Sequence, residues 1–152
     1  DTPSYFKDIH KYHQIIHETD LANNFAMYYK KYKTKLSKYM QTAITKGNKH
    51  SAKEYAEAID FKKRSYESYQ EVFEDYHGVL TPSSPGVALK GLKNTGTAEF
   101  NKVWSYLGTP CISLPLLEGE NNLPLGIQLI GDRYDDHRFL GVANWLEKEC
   151  NN

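Results

Sequence analysis

The strongest constraint in the sequence is an abrupt change in residue usage near residue 78. Nine of the ten glycines and five of the six prolines lie in residues 78–152, whereas ten of the twelve tyrosines and twelve of the sixteen lysines lie in residues 1–77. Glycine and proline interrupt regular structure. The first part is therefore predicted to be helical, and the second to alternate between strands, loops and helices. No linker separates the two parts, so we expect them to share one core.

Length and composition exclude several classes of protein. The chain has 152 residues, a formal net charge of zero and 39% hydrophobic residues, which argues against a strongly basic nucleic-acid binder and against a disordered chain. Its apolar runs are too short to cross a bilayer, and its N-terminus lacks a signal-peptide pattern. Only two cysteines are present, so we predict reduced thiols and a cytoplasmic protein without membrane contact.

Three helices are predicted in the first part. Thr2 is the expected cap of the first helix, whose apolar face carries Tyr5, Ile9, Tyr12 and Ile16. The second helix is expected over residues 20–46, with Gly47 ending it as a C-terminal cap. Ser51 and Glu54 form an S-x-x-E capping box that opens the third helix.

Strands and helices alternate in the second part, which predicts an α/β fold. Strands are expected at residues 79–81, 111–114 and 125–130, the first two ended by prolines. A loop is expected over 83–97, a helix over 98–107, and a final helix capped by Asp135 or Asp136. Three short strands make a thin sheet with exposed edges. The sequence also begins with Asp1 rather than with an initiator methionine. For both reasons we expect further strands of the sheet to lie outside this sequence.

Four groups of polar residues are candidates for reactive or metal-binding sites. The histidine row His10, His13 and His17 shares one helix face, but no acidic or cysteine ligand at a suitable spacing completes a metal shell. Ser83 and Ser84 have no local base and are interpreted as a turn. The carboxylates Asp132, Asp135 and Asp136 are interpreted as capping groups, and Cys111 as a packing thiol.

The segment of residues 31–39, KYKTKLSKY, combines lysine with tyrosine and is a candidate nucleic-acid surface. On one continuous helix its lysines spread around the axis rather than gathering on one face. We therefore interpret it as a solvated helix and expect no direct nucleic-acid ligand. No glycine-rich phosphate loop of the common patterns is present.

Three motifs in residues 81–131 occur together in a fixed order. They are T-P-x-x-P-G from Thr81, T-G-x-x-x-F-N-x-x-W-x-x-x-G-x-P from Thr95, and L-P-x-G-x-Q-L-I-G from Leu123. In order and spacing they resemble the C-terminal third of the amidase signature family. The upstream segments SAKEYAEA and VFEDYHGVLTP also resemble that family, so the resemblance covers nearly the whole chain.

The resemblance implies a large mixed sheet between helical layers, with this chain forming its C-terminal segment. It also implies an amidase that uses a lysine, a bridging serine in a cis peptide and a nucleophilic serine. In the family those residues lie in the N-terminal portion, the nucleophile within a Gly/Ser-rich stretch. This sequence contains no such stretch, so no catalytic residue is assigned here. The expected partners are that missing N-terminal portion and a small-molecule amide, without metal or organic cofactor; a homo-oligomer is left open.

The same resemblance assigns four residues near the substrate. The loop after T-P and the F-N-x-x-W helix lie close to the pocket in the family, and the matching residues are Thr81, Pro82, Asn101 and Trp104.

Two other functions remain alternatives. One is the A subunit of a glutamyl-tRNA amidotransferase, which tends to carry an acidic residue where this sequence has Ala98, beside Glu99. Together with Trp104, this position favours a small-molecule amidase. The other alternative is a non-catalytic binding module derived from the family.

Overall fold

The structure is a computed structural model that describes residues 6–150, with side chains from Lys7 onward. It divides into two units at the boundary between Ser65 and Tyr66. This boundary lies inside a helix, before the change in composition near residue 78. No helix of the described residues is long and apolar enough to span a membrane.

The first unit consists of helices. α1 spans Phe6–Asn24, α2 spans Ala26–Tyr32, a short 3-10 turn covers Lys33–Lys35, α3 spans Lys38–Gly47, and α4 spans Ala52–Gln70 and crosses into the second unit. The predicted cap Thr2 and the stripe residue Tyr5 lie outside the described residues. Ile9, from the same stripe, is fully buried.

The prediction of a single helix over residues 20–46 is wrong. α1 continues to Asn24, and the chain then breaks at Phe25 and again at Leu36, whose backbone is extended. Ser37 caps the next helix by accepting a hydrogen bond from the Met40 amide at 3.2 Å. Apolar periodicity continues through both breaks and therefore does not indicate them. The capping residue Ser37 is a local signal for the start of a new helix.

Gly47 ends α3 as predicted, but for a different physical reason. It is not among the glycines with positive φ, so it does not serve as a left-handed cap. A Cβ at this position would lie 1.9 Å from the Glu18 carbonyl oxygen. Gly47 therefore allows α3 to approach the backbone of α1 closely.

The capping box of α4 is confirmed. The Ser51 hydroxyl accepts from the Glu54 amide at 3.2 Å, and the Glu54 carboxylate accepts from the Ser51 amide at 2.7 Å. Two amides that have no partner inside the helix are thus satisfied reciprocally.

The second unit contains the sheet. After the end of α4 come α5 at Val72–Asp75, β1 at Val79–Pro82, α6 at Glu99–Leu107, β2 at Cys111–Glu118, β3 at Pro124–Ile130 and α7 at Asp136–Cys150. β3 lies in the centre and pairs antiparallel with both β1 and β2. The α/β prediction is confirmed as a helix-rich fold with a small three-stranded sheet, and all pairings among the described strands are antiparallel.

β2 continues past Pro115, where the sequence predicted its end. Its pairing with β3 shifts register between Leu114 and Leu117, which places the proline in an irregular step of the ladder. β2 is an edge strand of this sheet, and proline is tolerated at edges and bulges because its missing N–H leaves no ladder bond unmade there. The core over the sheet is formed by Leu129, Phe139 and Ala143, with Ile112 and Val142 packed against it.

Candidate functional site

Gln128 is a buried polar residue at the centre of the second unit. It lies on β3 with 4% of its surface exposed. Its Nε2 donates to the Phe100 carbonyl at 2.8 Å, to Thr81 Oγ1 at 2.9 Å and to the Pro82 carbonyl at 3.2 Å. A carboxamide has two N–H groups, so these three acceptors share two hydrogens. One side chain thus ties the central strand to the end of β1 and the start of α6.

A pair of serine hydroxyls lies beside this network. Ser83 Oγ and Ser113 Oγ are 2.6 Å apart, and the Ser83 amide donates to the Gly126 carbonyl at 2.9 Å, which continues the pairing beyond β1. A Cβ on Gly126 would lie 2.6 Å from Ser113 Oγ and 2.8 Å from Ser83 Oγ. The glycine of the L-P-x-G motif therefore provides the space in which the two hydroxyls meet.

The structure favours the turn interpretation over a nucleophilic serine. Ser84 Oγ donates to the Gly86 carbonyl at 2.6 Å, as a turn serine does. Ser83 Oγ is bonded to the Ser113 hydroxyl, and a hydroxyl can help to remove a proton only when it passes that proton on to a base such as lysine.

Three of the four predicted substrate residues lie around the Gln128 network. Thr81 and Pro82 are its acceptors on β1, and Asn101 follows Phe100 in the first turn of α6. Asn101 Nδ2 lies 3.4 Å from the Ser83 carbonyl oxygen, at the long end of hydrogen-bond range, and the side chain is exposed. The network thus joins the T-P and F-N motifs.

Trp104 lies in a different environment. It is 7% exposed, and its ring centroid is 5.4 Å from that of Tyr69, which makes an edge contact with Phe73 at 5.1 Å. Such aromatic clusters bury a large apolar area and hold their members in fixed orientations. The packing therefore places Trp104 in the core between α4, α5 and α6.

Arg133 holds the other end of α6. Its guanidinium lies over the Tyr66 ring at 3.6 Å, and its Nη2 donates to the Leu107 carbonyl. The Tyr66 hydroxyl donates to Asp132 at 2.5 Å; burial and this carboxylate raise the pKa of Tyr66 above its ordinary value. α6 is thus fixed at its first turn by Gln128 and at its last turn by Arg133.

The predicted capping carboxylates serve separate contacts. Asp132 accepts from Tyr66 and from the Arg133 amide, while Asp135 forms an ion pair with Arg138 at 2.6 Å. Cys111 does not match the predicted packing thiol, because it is exposed at the start of the edge strand β2. The prediction rested on its position after Pro110 at the start of a strand expected to be buried, and the first residue of that strand is instead exposed.

The histidine row lies on α1. His13 and His17 stack with ring centroids 5.8 Å apart, and His17 Nε2 lies 3.4 Å from the Tyr39 hydroxyl. Across residues 6–150, no group of three His, Cys, Asp or Glu side chains could hold a metal ion.

Gln128, Ser113 and Gly126 belong to the predicted motifs and strands, but no role was predicted for them from the sequence. A glutamine among the apolar residues of a buried strand is a signal, because a buried carboxamide requires hydrogen-bond partners. It indicates a polar junction without naming the partners.

Comparison with known proteins gives consistent results. The sequence model of the family described as Amidase matches residues 4–140. The A subunit of the glutamyl-tRNA(Gln) amidotransferase of Alkaliphilus metalliredigens is 35% identical over an alignment of 102 residues, and the match covers 62% of this chain and 21% of that protein. A second such A subunit, from Clostridium acetobutylicum, is 32% identical over 102 residues, with the same coverage.

Among solved structures, a crystal structure of an amidase superposes with a TM-score of 0.80 at 19% identity, over 93% of this chain and 35% of that one. At this identity the likeness concerns the fold. The chain spans about a fifth of the curated relatives it matches and about a third of the solved amidase.

Proposed function

Because the chain belongs to the amidase family, we propose that it forms the C-terminal part of an enzyme that hydrolyses a carboxylic amide. In this proposal the lysine, the bridging cis-serine and the nucleophilic serine come from an N-terminal catalytic portion of the same enzyme. Two observations support this division: the sequence lacks a Gly/Ser-rich nucleophile stretch, and the fold matches only part of a solved amidase.

The proposed reaction is acyl transfer through serine. The lysine and the bridging serine remove the proton of the nucleophilic serine, whose Oγ attacks the amide carbonyl carbon. The C–N bond breaks, and the nitrogen leaves with a proton as ammonia or an amine. Water then hydrolyses the resulting ester and restores the serine. The residues of this chain bind and orient the amide.

The observation that carries the proposal is the Gln128 network. It holds the T-P end of β1 and the F-N turn of α6 against the same strand, which supports Thr81, Pro82 and Asn101 as one wall of the substrate site. Asn101 offers an exposed carboxamide that can both donate to and accept from an amide substrate. In this proposal Trp104 also belongs to the substrate site, on its acyl side, although its ring is 7% exposed and packs against Tyr69.

An apolar groove supports the proposed contact with the N-terminal catalytic portion. The groove has a volume of about 660 Å³ between β1 and α7, and its lining includes Leu80 and Trp145, which are 52% and 60% exposed. Apolar side chains exposed along a sheet edge are normally covered by further structure.

The unpaired cysteines Cys111 and Cys150 are compatible with the cytoplasmic location that forms part of this proposal.

A second candidate is favoured by sequence identity. The curated relatives at 35% and 32% identity are A subunits of glutamyl-tRNA(Gln) amidotransferases. In that case the enzyme would release ammonia from glutamine for a partner subunit. Ala98 and Glu99 at the start of α6 are the positions to examine, because an acidic side chain there would hold the glutamine amino group. A binding module without catalysis is the third alternative.

The test is an ammonia-release assay on the enzyme assembled with its catalytic portion. We expect turnover of simple carboxamides without a partner subunit, and no turnover by the 152-residue chain alone, because the catalytic groups act as a unit. Release of ammonia from glutamine alone, dependent on partner subunits, would favour the amidotransferase. Turnover by the isolated chain that is lost in Ser84→Ala would contradict the proposed division.

A further inference from the structure

The first unit contains a long stretch without carboxylates. Residues 21–53 include eight lysines and no aspartate or glutamate. The zero net charge of the whole chain conceals this asymmetry, because residues 1–65 carry 13 lysines and arginines against seven acidic residues. Within residues 21–53, no acidic residue balances the charge of the lysines.

The fold gathers part of this charge in one place. A groove of about 570 Å³ is lined by Lys33, Lys38, Lys46 and Lys49, together with the hydroxyls of Tyr29 and Thr42. All four lysines are exposed. The interpretation of residues 31–39 as a solvated helix assumed one continuous helix. The break at Leu36 and the cap at Ser37 instead fold the chain back, so that lysines from both sides of the break share a groove.

Polar contacts organise the floor of the groove. The Tyr29 hydroxyl lies 3.1 Å from Thr45 Oγ1, and Lys33 Nζ lies 5.1 Å from the centre of the Tyr29 ring. Lys46 Nζ reaches the Glu18 carboxylate at 3.8 Å. Among the described residues, the other three lysines have no carboxylate within ion-pair distance, so no acidic side chain balances their charge, although Lys33 also contacts Tyr29.

We propose that the groove between α2 and α3 binds the phosphate groups of an anionic ligand. Ammonium groups and hydroxyls at one groove match the charge and the acceptor oxygens of phosphate, and lysine binds phosphate as a point charge without requiring a planar fork. The groove shares no residue with the proposed amide site, so the proposal does not depend on amidase activity. The phosphates could belong to a free polyphosphate compound or to the backbone of single-stranded RNA, whose bases the exposed Tyr28 and Tyr32 could stack against.

The experiment compares two probes and two variants of the whole protein. Tripolyphosphate is titrated by calorimetry, and a labelled single-stranded RNA of roughly 12 nucleotides by fluorescence anisotropy. The groove variant is Lys38→Glu/Lys49→Glu. The matched control is Lys90→Glu/Lys93→Glu, which reverses two exposed lysines in the loop before α6. Circular dichroism and melting curves establish that both variants are folded.

The groove variant is expected to bind the probe with an affinity lower by about tenfold or more, while the affinity of the control variant stays near that of wild type. For RNA, the slope of log affinity against log salt should fall by about 1.4, for two lost phosphate contacts at roughly 0.7 each. Tripolyphosphate binding without RNA binding identifies a small ligand, and RNA binding that tripolyphosphate displaces identifies a phosphodiester backbone. Absence of binding by both probes at about 50 mM salt, or equal losses in the groove and control variants, would overturn the proposal.

Discussion

Gln128 Nε2 donates a 2.8 Å hydrogen bond to the carbonyl oxygen of Phe100, and this contact joins the central strand of the sheet to the first turn of α6. The same nitrogen reaches Thr81 at the end of β1. The T-P and F-N motifs are far apart in sequence, and one buried carboxamide brings them together. The position of the proposed substrate wall therefore depends on a residue that is not itself exposed to substrate.

Replacing this carboxamide should destabilise the fold. Gln128→Met keeps the length of the side chain but leaves the part-buried acceptors on Thr81, Pro82 and Phe100 without this donor, at a cost of about 1–3 kcal/mol in the free energy of unfolding. Urea denaturation measures the change. The control Gln70→Met, at an exposed position near the end of α4, should stay within about 0.5 kcal/mol of wild type. Equal effects of the two substitutions would show that the Gln128 network contributes no net stability.

A methyl group at Gly126 should displace the serine pair. We expect Gly126→Ala to cost about 1–3 kcal/mol, because its Cβ would meet Ser83 Oγ and Ser113 Oγ below 3 Å. In a Ser83→Ala/Ser113→Ala background the same substitution should cost much less. Gly141→Ala is the matched control: no atom lies within 4 Å of its Cβ, and alanine in a helix should stabilise by about 0.5–1 kcal/mol. An undiminished cost in the double-alanine background would contradict this explanation.

Two substitutions at Trp104 separate core packing from substrate contact. Trp104→Ala should cost about 3–5 kcal/mol, as expected for an aromatic residue buried against Tyr69. Trp104→Phe should leave the fold nearly as stable if the indole lines a pocket, and should lower Tm strongly if the indole only fills the core. If Trp104 also shapes the acyl side of the site, the Phe variant changes the ranking of kcat/KM among amides of different acyl size, with steps of roughly 1–3 kcal/mol per methylene. An unchanged ranking with a strongly lowered Tm would assign Trp104 to the core alone.

Tyr66 makes stability depend on pH in the alkaline range. Burial and the hydrogen bond to Asp132 raise its pKa in the folded protein, so the unfolded chain loses this proton first. The contribution of Tyr66 is complete below the unfolded pKa of about 10 and is lost as pH rises through the folded pKa.

Urea denaturation between about pH 8 and 11 should therefore show a steeper loss of stability in wild type than in Tyr66→Phe. The other tyrosines are present in both proteins, so their titration cancels in the difference. Parallel curves for the two proteins would contradict the assigned role of the Tyr66–Asp132 contact.

Local signals in the sequence predicted much of the fold. The Ser51–Glu54 box, the end of the helix predicted over residues 98–107 and the apolar strand at residues 125–130 each depend on neighbouring residues, and the structure confirms them. The helix stops at Gly108, whose φ is +72°. Family motifs added the placement of Thr81, Pro82 and Asn101 in one region. Whether these residues contact substrate stays a prediction.

Other features were not predicted, either because a continuous apolar pattern outweighed a local signal or because the feature depends on a distant part of the chain. The breaks at Phe25 and Leu36 interrupt a continuous apolar periodicity, and the extension of β2 past Pro115 depends on its position at the sheet edge. Gly47 was assigned a cap role, although its absent side chain matters for contact with Glu18 on another helix. The spacing of residues within one helix does not indicate which other helix packs against its backbone.

The kinetics of Asn101→Ala test the central claim, that the β1–α6 wall binds the amide substrate, most directly. In the enzyme assembled with its catalytic portion, kcat/KM for a simple carboxamide should fall roughly three- to tenfold, the value of one neutral hydrogen bond, with Tm unchanged. The control Asn144→Ala, on the exposed face of α7, should match wild type in both measurements. Wild-type kcat/KM in Asn101→Ala for every amide that the enzyme hydrolyses would contradict the assignment of this wall to the substrate site.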